Sequence, residues 1–245
     1  MALAQQLSER SVDSSIDQFG ELITDAAAAD RVAVDYLELA EQLTRRPAGT
    51  WLSVDLSHLG LDVDRQRCAE HLAAIAANLP AGRRIQVGAE DHDRSEPVLA
   101  CVLEVARRGF EQRLGATVSA NFHRSSRDVG RLVSAGVHVR LVKGAYVEPA
   151  RRALPYGEPT DIAYLRLAHG LAEAEASFAL ATHDGLLRDA LLQALGPRPV
   201  EQLLGVRPAT PEELVARGVP VRVYIPFGPN WFRYWMRRVA ESRGA

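Results

Sequence analysis

The sequence predicts an α/β fold, a (β/α)8 TIM-like barrel of parallel strands. Short apolar segments typical of strands alternate eight times with amphipathic segments typical of helices. Connections of helix length make consecutive strands parallel, and eight such units can close a barrel. An open doubly wound sheet is the alternative, but no glycine-rich phosphate loop follows the first strand. The chain has 245 residues, of which 47% are hydrophobic, so it can bury one large core.

The predicted strands are short segments in which apolar residues alternate with polar ones or follow one another directly. The clearest is "VHVRLVKGAY". In chain order, the strands are "SIDQFGELI" (15–23), "TWLSVDLSHLG" (50–60), "RRIQVGAED" (83–91), "GATVSANFH" (115–123), "VHVRLVKGAY" (137–146), "SFALATHDG" (177–185), "VEQLLGV" (200–206) and "VPVRVYIPFG" (219–228).

The predicted helices repeat apolar residues at helical spacing and carry start and stop signals. A serine opens the fourth helix and a glycine ends it, while Thr-Pro opens the seventh. In chain order, the helices are residues 25–43, 63–79, 96–109, 126–136, 160–176, 186–195, 210–218 and a final helix from about Trp231, which is expected to cover the C-terminal rim of the barrel.

Composition limits the classes of partner and compartment. The formal net charge is -2, so there is no basic excess to attract nucleic acid. Cys68 and Cys101 lie in apolar helical segments and are expected to be reduced, buried thiols, and no cysteine or histidine spacing indicates zinc. The N-terminus lacks the pattern of a signal peptide, and every apolar stretch is shorter than a membrane span. We therefore expect a cytoplasmic protein with at most peripheral membrane contact.

The chain is predicted to be one domain over residues 1–245, in which residues 1–14 are an N-terminal extension. No repeat or low-complexity linker divides it. The longest irregular stretch is "VEPARRALPYGEPT" (147–160), which is expected to form an active-site loop because long loops in compact domains often carry function.

Polar residues collect where the predicted strands end. In a parallel barrel these ends meet on one rim, which is where such barrels carry their functional groups. The candidates on this rim are Glu21, Asp55, Ser57, His58, Glu90, Asp91, Asn121, His123, Lys143, Tyr146, Thr182, His183 and Tyr224.

Three motifs carry a resemblance to a known family. They are "RLVKGAY" (140–146), "ATHD" (181–184) and "YIPFGPNWFRYWMRR" (224–238), and together they resemble the proline dehydrogenase family. The match extends from the first strand, with its Gly-Glu, to the last helix. The resemblance implies a distorted barrel that binds FAD non-covalently with the isoalloxazine ring over the strand ends.

The resemblance also implies which residues contact the cofactor. Arg140 matches the arginine that approaches flavin N5, where a cation stabilises the reduced ring. Val142 and Gly144 match backbone contacts to the cofactor. Thr182 and His183 match a pair that touches the flavin and its phosphate chain. Glu241 matches an acid near the cofactor.

Other positions match the substrate pocket of the family. The matched positions are Ala145, Tyr146, Leu203, Tyr224, Arg237 and Arg238. Tyr224 corresponds to the tyrosine that packs on the substrate ring. Helical spacing places Arg237 and Arg238 on one face with Tyr234 and Glu241. Because guanidinium groups bind carboxylates in a bidentate manner, the arginine pair is expected to clamp the carboxylate of proline. Arg140, Tyr224, Arg237 and Arg238 are the predicted catalytic residues.

The sequence departs from the family pattern at several site positions. Asp55 stands where the family has lysine, and Ser119 where it has a flavin-binding glutamine. Gly88 replaces the aspartate that braces the position of Tyr224. The connection before the seventh strand is shortened, and the N-terminal helical arm of the family is expected to be missing. We expect FAD to bind more weakly than is usual for the family.

Three functions are consistent with these residues. The first is an FAD-dependent oxidoreductase that oxidises proline, or a proline-like secondary-amine carboxylic acid, to an imine and passes electrons to a quinone or another acceptor. The second is a divergent barrel that binds an amino acid or a partner without redox turnover. The third is a different barrel enzyme that uses Asp55, Glu90, Asp91 and His183 as acid, base or metal ligands.

Overall fold

Eight parallel strands close into a barrel in the order of the chain. The computed structural model of the protein describes residues 2–229, 232 and 236. The predicted barrel is therefore confirmed, and the open sheet was the wrong alternative. The strands are β1 (Asp13–Gln18), β2 (Thr50–Val54), β3 (Ile85–Val87), β4 (Leu114–Ser119), β5 (His138–Val142), β6 (Phe178–Ala181), β7 (Val200–Leu203) and β8 (Val221–Phe227).

Helices follow the strands around the outside of the barrel. They are α1 (Ala2–Glu9), α2 (Ala26–Gln42), α3 (Arg65–Asn78), α4 (His92–Val105), α5 (Ser125–Ser134), α6 (Glu158–Glu173), α7 (Gly185–Leu195) and α8 (Thr210–Ala216). The final helix expected from about Trp231 falls outside the described residues, apart from Phe232 and Met236. No helix in the described part of the chain has both the length and the apolar character needed to cross a membrane.

The N-terminal extension predicted over residues 1–14 contains a helix. The sequence pattern predicted no element there, whereas α1 occupies residues 2–9. Ala4 is buried in the core, and the carbonyl of Leu7 accepts hydrogen bonds from the amides of Arg10 and Val12. Arg10 also forms an ion pair of 2.7 Å with Glu212 on α8. The apolar side of this short helix therefore packs against the barrel.

Two boundaries on the third unit were also predicted wrongly. The strand predicted over 83–91 pairs with its neighbours only from Ile85 to Val87. The helix predicted from residue 96 begins at His92, because the Asp91 side chain caps it by accepting from the amide of Arg94 at 3.0 Å. Pro97 lies inside the helix. The side-chain cap therefore determines this boundary.

The core lies between the strands and the helices, and the opposite face of each strand points into the barrel. On β2, Leu52 and Val54 belong to the buried apolar cluster. Trp51 and Ser53 alternate with them and therefore face the interior. The interior is polar and charged, since Asp17, Arg140, Glu201 and other titratable residues are buried there.

The N-terminal end of the barrel is filled by a group of residues that we call the basal layer. It consists of Asp13, Trp51, Arg84, His138 and Arg222. The guanidinium carbon of Arg222 lies 3.4 Å from the centre of the Trp51 ring, and that of Arg84 lies 4.7 Å from it. Burial and the neighbouring arginines lower the pKa of His138 to about 2, so this imidazole is neutral at physiological pH. The layer closes the bottom of the barrel through cation–π stacking and hydrogen bonds.

Candidate active site

Tyr224 is held at the C-terminal rim by a carboxylate from the first strand. Its hydroxyl donates to Oδ2 of Asp17 at 2.5 Å, and the hydroxyl of Tyr36 on α2 donates to Oδ1 at the same distance. Tyr36 also donates to the carbonyl of Ser53 at 2.9 Å. The buried Asp17 thus fixes the position of the Tyr224 ring. Asp17 and Tyr36 were not among the predicted residues, and the only sequence signal was a carboxylate in an otherwise ordinary strand alternation.

The acidic group missing at position 88 is replaced in space by Asp55. A Cβ atom built on Gly88 would lie only 1.8 Å from Oδ1 of Asp55, so the carboxylate of Asp55 fills the place where a side chain at 88 would begin. The negative charge of Asp55 contributes to the raised pKa of Tyr224, after burial and Asp17. Any larger residue at position 88 would require Asp55 to move. The departures at 55 and 88 are therefore structurally coupled.

Arg140 lies inside the barrel, near the middle of β5. Its Nε donates to Oε2 of Glu201 on β7 at 2.6 Å, and both side chains are buried. Within the part of the chain that the structure describes, the buried Nη2 of Arg140 has no hydrogen-bond partner. The guanidinium therefore has one edge fixed by a carboxylate and one amino group available to a ligand.

The turn after β5 depends on Gly144. Its φ of +119° belongs to the region that favours glycine, and a Cβ there would lie 2.1 Å from Oδ1 of Asn121. Asn121 is buried, and its backbone N–H donates to the carbonyl of Lys143 at 3.1 Å. The absence of a side chain at 144 thus lets the backbone of this motif approach the end of β4 closely.

Thr182 and His183 lie at the end of β6, next to the end of β7. The hydroxyl of Thr182 accepts from the amide of Asp184 at 3.1 Å, and its carbonyl accepts from Nε2 of Gln202 at 2.9 Å. Nε2 of His183 accepts from the amide of Leu203 at 3.3 Å. These bonds fix the two residues of the predicted Thr-His pair against the seventh strand.

Lys143 connects the fifth and sixth strand ends. Its ammonium group lies 2.5 Å from Asp161 on α6 and 3.2 Å from Asp184. These two carboxylates raise the pKa of Lys143 against the opposing effect of burial, which is the largest single contribution. Asp184 also caps α7 by accepting from the amide of Leu187. Lys143 thus holds two rim segments together.

The predicted pocket residues lie on different strand ends of the rim and differ in burial. Leu203 is the last residue of β7 and is aligned with Tyr224 on β8. Tyr146 is half-buried, and its hydroxyl donates to the carbonyl of Ala89 at 3.3 Å, while Ala145 is exposed. Val142 is the last residue of β5, and its carbonyl accepts from the amide of Ala120 at 2.8 Å. The rim therefore brings together Tyr224, Leu203 and His183, with Tyr146 at its edge.

Several rim candidates have a local structural role. Glu90 accepts from the amide of Ser57 at 2.8 Å, and Asp91 caps α4. The imidazole of His58 occupies the space where a Cβ at Gly20 would lie. Among the residues that the structure describes, no three His, Cys, Asp or Glu side chains are grouped as metal ligands would be. Nε2 of His123 lies 2.8 Å from the carbonyl oxygen of Ala150, and Glu21 lies in the segment after β1. The candidates from the predicted final helix, Tyr234, Arg237, Arg238 and Glu241, lie outside the described residues.

The residues present at the rim fit a cofactor with hydrogen-bonding ring edges. Within residues 2–229, several buried polar atoms inside the barrel or at its strand ends have no partner, among them Oγ of Ser119, Oδ1 of Asn121 and Nη2 of Arg140. Buried polar atoms are normally paired. This mixture of acceptors and a cationic donor suits the N–H and carbonyl groups of an isoalloxazine ring. Ser119 retains a hydrogen-bonding group in place of the expected glutamine.

Replacing Asp17 with asparagine is expected to change the pH dependence of stability. Burial raises the pKa of Asp17 from 3.8 to about 6, so between these values the folded protein holds a proton that the unfolded chain has released. The stability contribution of this group therefore falls as pH rises from about 4 to 6 and stays low above that, a change on the order of 2–3 kcal/mol.

Urea unfolding of the wild type and Asp17→Asn at pH 4 and pH 7 measures this effect. The free energy of unfolding of Asp17→Asn relative to that of the wild type should be higher at pH 7 than at pH 4. The exposed control Glu38→Gln should show the same pH dependence as the wild type. If the free energy of unfolding has the same pH dependence in the wild type and in Asp17→Asn, the raised pKa of Asp17 is contradicted.

Comparison with known proteins identifies the family. The family model described as "Proline dehydrogenase" matches residues 1–245. Proline dehydrogenase 1 of Bacillus subtilis (strain 168) is 29% identical over 248 residues, covering 97% of this chain and 80% of that protein. Proline dehydrogenase of Deinococcus radiodurans is 30% identical over 251 residues with the same two coverages.

Solved structures agree on the fold. A proline utilization A variant from Bradyrhizobium japonicum superposes with a TM-score of 0.83 at 23% identity, over 99% of this chain. Proline utilization A from Bdellovibrio bacteriovorus gives a TM-score of 0.80 at 18% identity, over 93% of this chain. The chain spans 30% and 29% of those two longer proteins. The family and the enzyme class expected from the motifs are confirmed: the chain belongs to the proline dehydrogenase family.

Proposed function

We propose that this protein is an FAD-dependent dehydrogenase that oxidises proline, or a closely similar cyclic secondary amine carrying a carboxylate, to an imine. The observation that carries the proposal is the family match over the whole chain, on a barrel whose interior contains the buried Nη2 of Arg140, which has no hydrogen-bond partner among the described residues. The relatives in Bacillus subtilis and Deinococcus radiodurans carry the same activity in their names.

The reaction breaks one carbon–hydrogen bond next to the ring nitrogen. The hydride leaves with both electrons of that bond, the nitrogen releases a proton, and a carbon–nitrogen double bond forms. When bound, FAD supplies the acceptor for the hydride. No side chain needs to form a covalent bond, so the protein acts by positioning the substrate and by stabilising charge.

Each proposed site residue has one task in this scheme. Arg140 places a positive charge where negative charge develops on the acceptor. Tyr224, fixed by Asp17, forms a wall for the substrate ring. Arg237 and Arg238 hold the substrate carboxylate by bidentate hydrogen bonds. Ala145, Tyr146 and Leu203 complete the pocket.

Backbone and polar groups of β5 and β6 and of the turns that follow them would hold the cofactor. The proposed contacts are Val142, Gly144, Thr182, His183 and Glu241, together with Arg140. Thr182 and His183 are already fixed by hydrogen bonds to Asp184, Gln202 and Leu203, so they need little reordering on binding. Because Asp55 and Gly88 change the charge of the site, we expect weaker FAD binding than in relatives with the usual residues.

The electron acceptor is proposed to be a quinone. Apolar side chains are exposed on the segments that follow the strands, since Leu22 is 51% and Val147 and Leu186 are each 86% exposed. Such residues favour an acceptor with an apolar ring or contact with a membrane surface. A cytoplasmic location with at most peripheral membrane contact is part of this proposal.

An absorbance spectrum tests the proposed function directly. FAD is added to the purified protein, unbound cofactor is removed, and the spectrum is recorded between roughly 350 and 500 nm, where oxidised flavin absorbs. Proline is then added without oxygen, and the flavin bands are expected to bleach. A protein that retains no flavin even after incubation with high micromolar FAD, yet still binds proline, would support the non-redox alternative instead.

A further inference from the structure

Glu201 is a buried carboxylate for which the resemblance to the family gave no role. It lies on β7 and is 6% exposed. Its Oε2 accepts from Nε of Arg140 at 2.6 Å, although β5 and β7 are not neighbours in the sheet. An isolated buried carboxylate is costly, so a glutamate at this place needs a cationic partner.

A small residue on the intervening strand makes this contact sterically possible. Ala179 on β6 is the residue aligned with Arg140, and it is almost fully buried. A methyl side chain leaves the barrel interior open between β5 and β7. The side chain of Arg140 can therefore extend across β6 to reach Glu201.

The charge of Glu201 also acts on two arginines below it. Its negative charge raises the pKa of Arg84 and of Arg222, in each case against the larger effect of burial. Both arginines belong to the basal layer. Glu201 thus balances part of the positive charge of three guanidinium groups, of which those of Arg140 and Arg222 are buried.

The contact determines which edge of Arg140 is available. A guanidinium is planar, so a hydrogen bond at Nε restricts the orientation of both amino groups. Nη2 is buried and, among the described residues, has no partner. The carboxylate of Glu201 therefore holds the group in one orientation and also reduces its net positive charge.

We infer that Glu201 is a positioning residue for Arg140 and that it lowers the reduction potential of the bound electron acceptor. The inference rests on the proposed flavin-dependent function. An anion paired with Arg140 disfavours the additional negative charge that the reduced acceptor carries. Removing only the charge of Glu201 should raise the potential, and shortening its side chain should disturb the orientation of Arg140.

Two variants separate charge from geometry. Glu201→Gln keeps an acceptor oxygen at the same reach but removes the charge, and Glu201→Asp keeps the charge but shortens the reach. In spectroelectrochemical titration of the FAD-loaded proteins, Glu201→Gln is expected to raise the ratio of reduced to oxidised flavin at least tenfold at a fixed potential. This corresponds to a reduction potential that is higher by about 30 mV for a two-electron couple. Glu201→Asp should change this ratio much less but lower kcat.

The matched control is Glu104→Gln, which breaks an exposed Glu–Arg pair with Arg108 on the outer surface. It should leave both potential and kcat unchanged. If Glu201 has only a structural role, Glu201→Gln lowers thermal stability and leaves the potential at the wild-type value, and that result would overturn the inference.

A measurement on the apoprotein keeps this test separate from the proposed function. The side-chain Nε–H signal of Arg140, assigned by its loss in Arg140→Met, should be protected from exchange with water in the wild type. It should shift and exchange faster in Glu201→Gln. If the wild type takes up no flavin, the proposed function is contradicted. If the Arg140 signal is unchanged in Glu201→Gln, the positioning role is overturned, whether or not flavin binds.

Discussion

Replacing Arg222 with alanine is expected to lower the free energy of unfolding by about 3–5 kcal/mol, the usual cost of breaking a buried charged network. Arg222 is buried in the basal layer. It donates to the carbonyl of Ser14 at 2.8 Å, to the carbonyl of Gly49 and to Asp13 at 3.1 Å. Its guanidinium also stacks on Trp51. The variant loses these bonds and leaves a cavity next to an indole ring.

Urea unfolding at neutral pH measures this loss. Arg31→Ala is the matched control, because Arg31 is 72% exposed and lies 4.0 Å from Asp25. Its effect should stay within about 0.5 kcal/mol, as for most exposed ion pairs. Arg222→Met, which retains part of the apolar volume over Trp51, should lose less than Arg222→Ala. A loss below about 1 kcal/mol in Arg222→Ala would mean that the basal layer repacks freely.

Replacing Arg140 with methionine is expected to reduce kcat for proline oxidation about 10²–10³-fold, the typical effect of removing one preorganised charge-stabilising donor. Methionine retains much of the apolar stem but has no cation to place beside the acceptor. Arg140→Lys should recover only part of the rate, because lysine retains the charge and loses the planar group that Glu201 orients. Steady-state kinetics with proline and an artificial electron acceptor measures both variants.

Two controls separate catalysis from folding in this experiment. Arg140→Met leaves Glu201 buried without its partner, so stability will fall; the double variant with Glu201→Gln should recover stability but not activity. Arg113→Met removes an arginine that donates to backbone carbonyls at the end of α3, including that of Leu79 at 2.8 Å. It should reduce stability and leave kcat near the wild-type value. Full activity in Arg140→Met would remove this arginine from the proposed mechanism.

Helix periodicity and strand alternation were sufficient to predict the barrel. Helix α2 was expected over 25–43 and spans Ala26–Gln42, and β5 was expected over 137–146 and spans His138–Val142. The strands were predicted too long because the polar residues at their ends continued the alternation of apolar and polar side chains that is typical of a strand. Pairing instead stops where each chain turns outward at the rim, a boundary that depends on neighbouring strands.

The position of several site residues was also predictable. Because parallel strands have their C-terminal ends on one rim, His183 and Tyr224 were expected there. In the structure, His183 accepts from the amide of Leu203, which is aligned with Tyr224. The sequence alone did not predict which side chains fix the site residues in position. Asp17, which fixes Tyr224, and Glu201, which fixes Arg140, each lie far along the chain from their partners.

The sequence by itself determined the number and order of the strands, the family and the residues of the motifs. Only the tertiary structure decided which polar residues are buried and paired. On an isolated strand, a polar residue at every second position indicates a face in contact with water. When eight strands close into a barrel, that face becomes the interior, and buried residues such as Asp17 and Glu201 need partners from other elements of the fold.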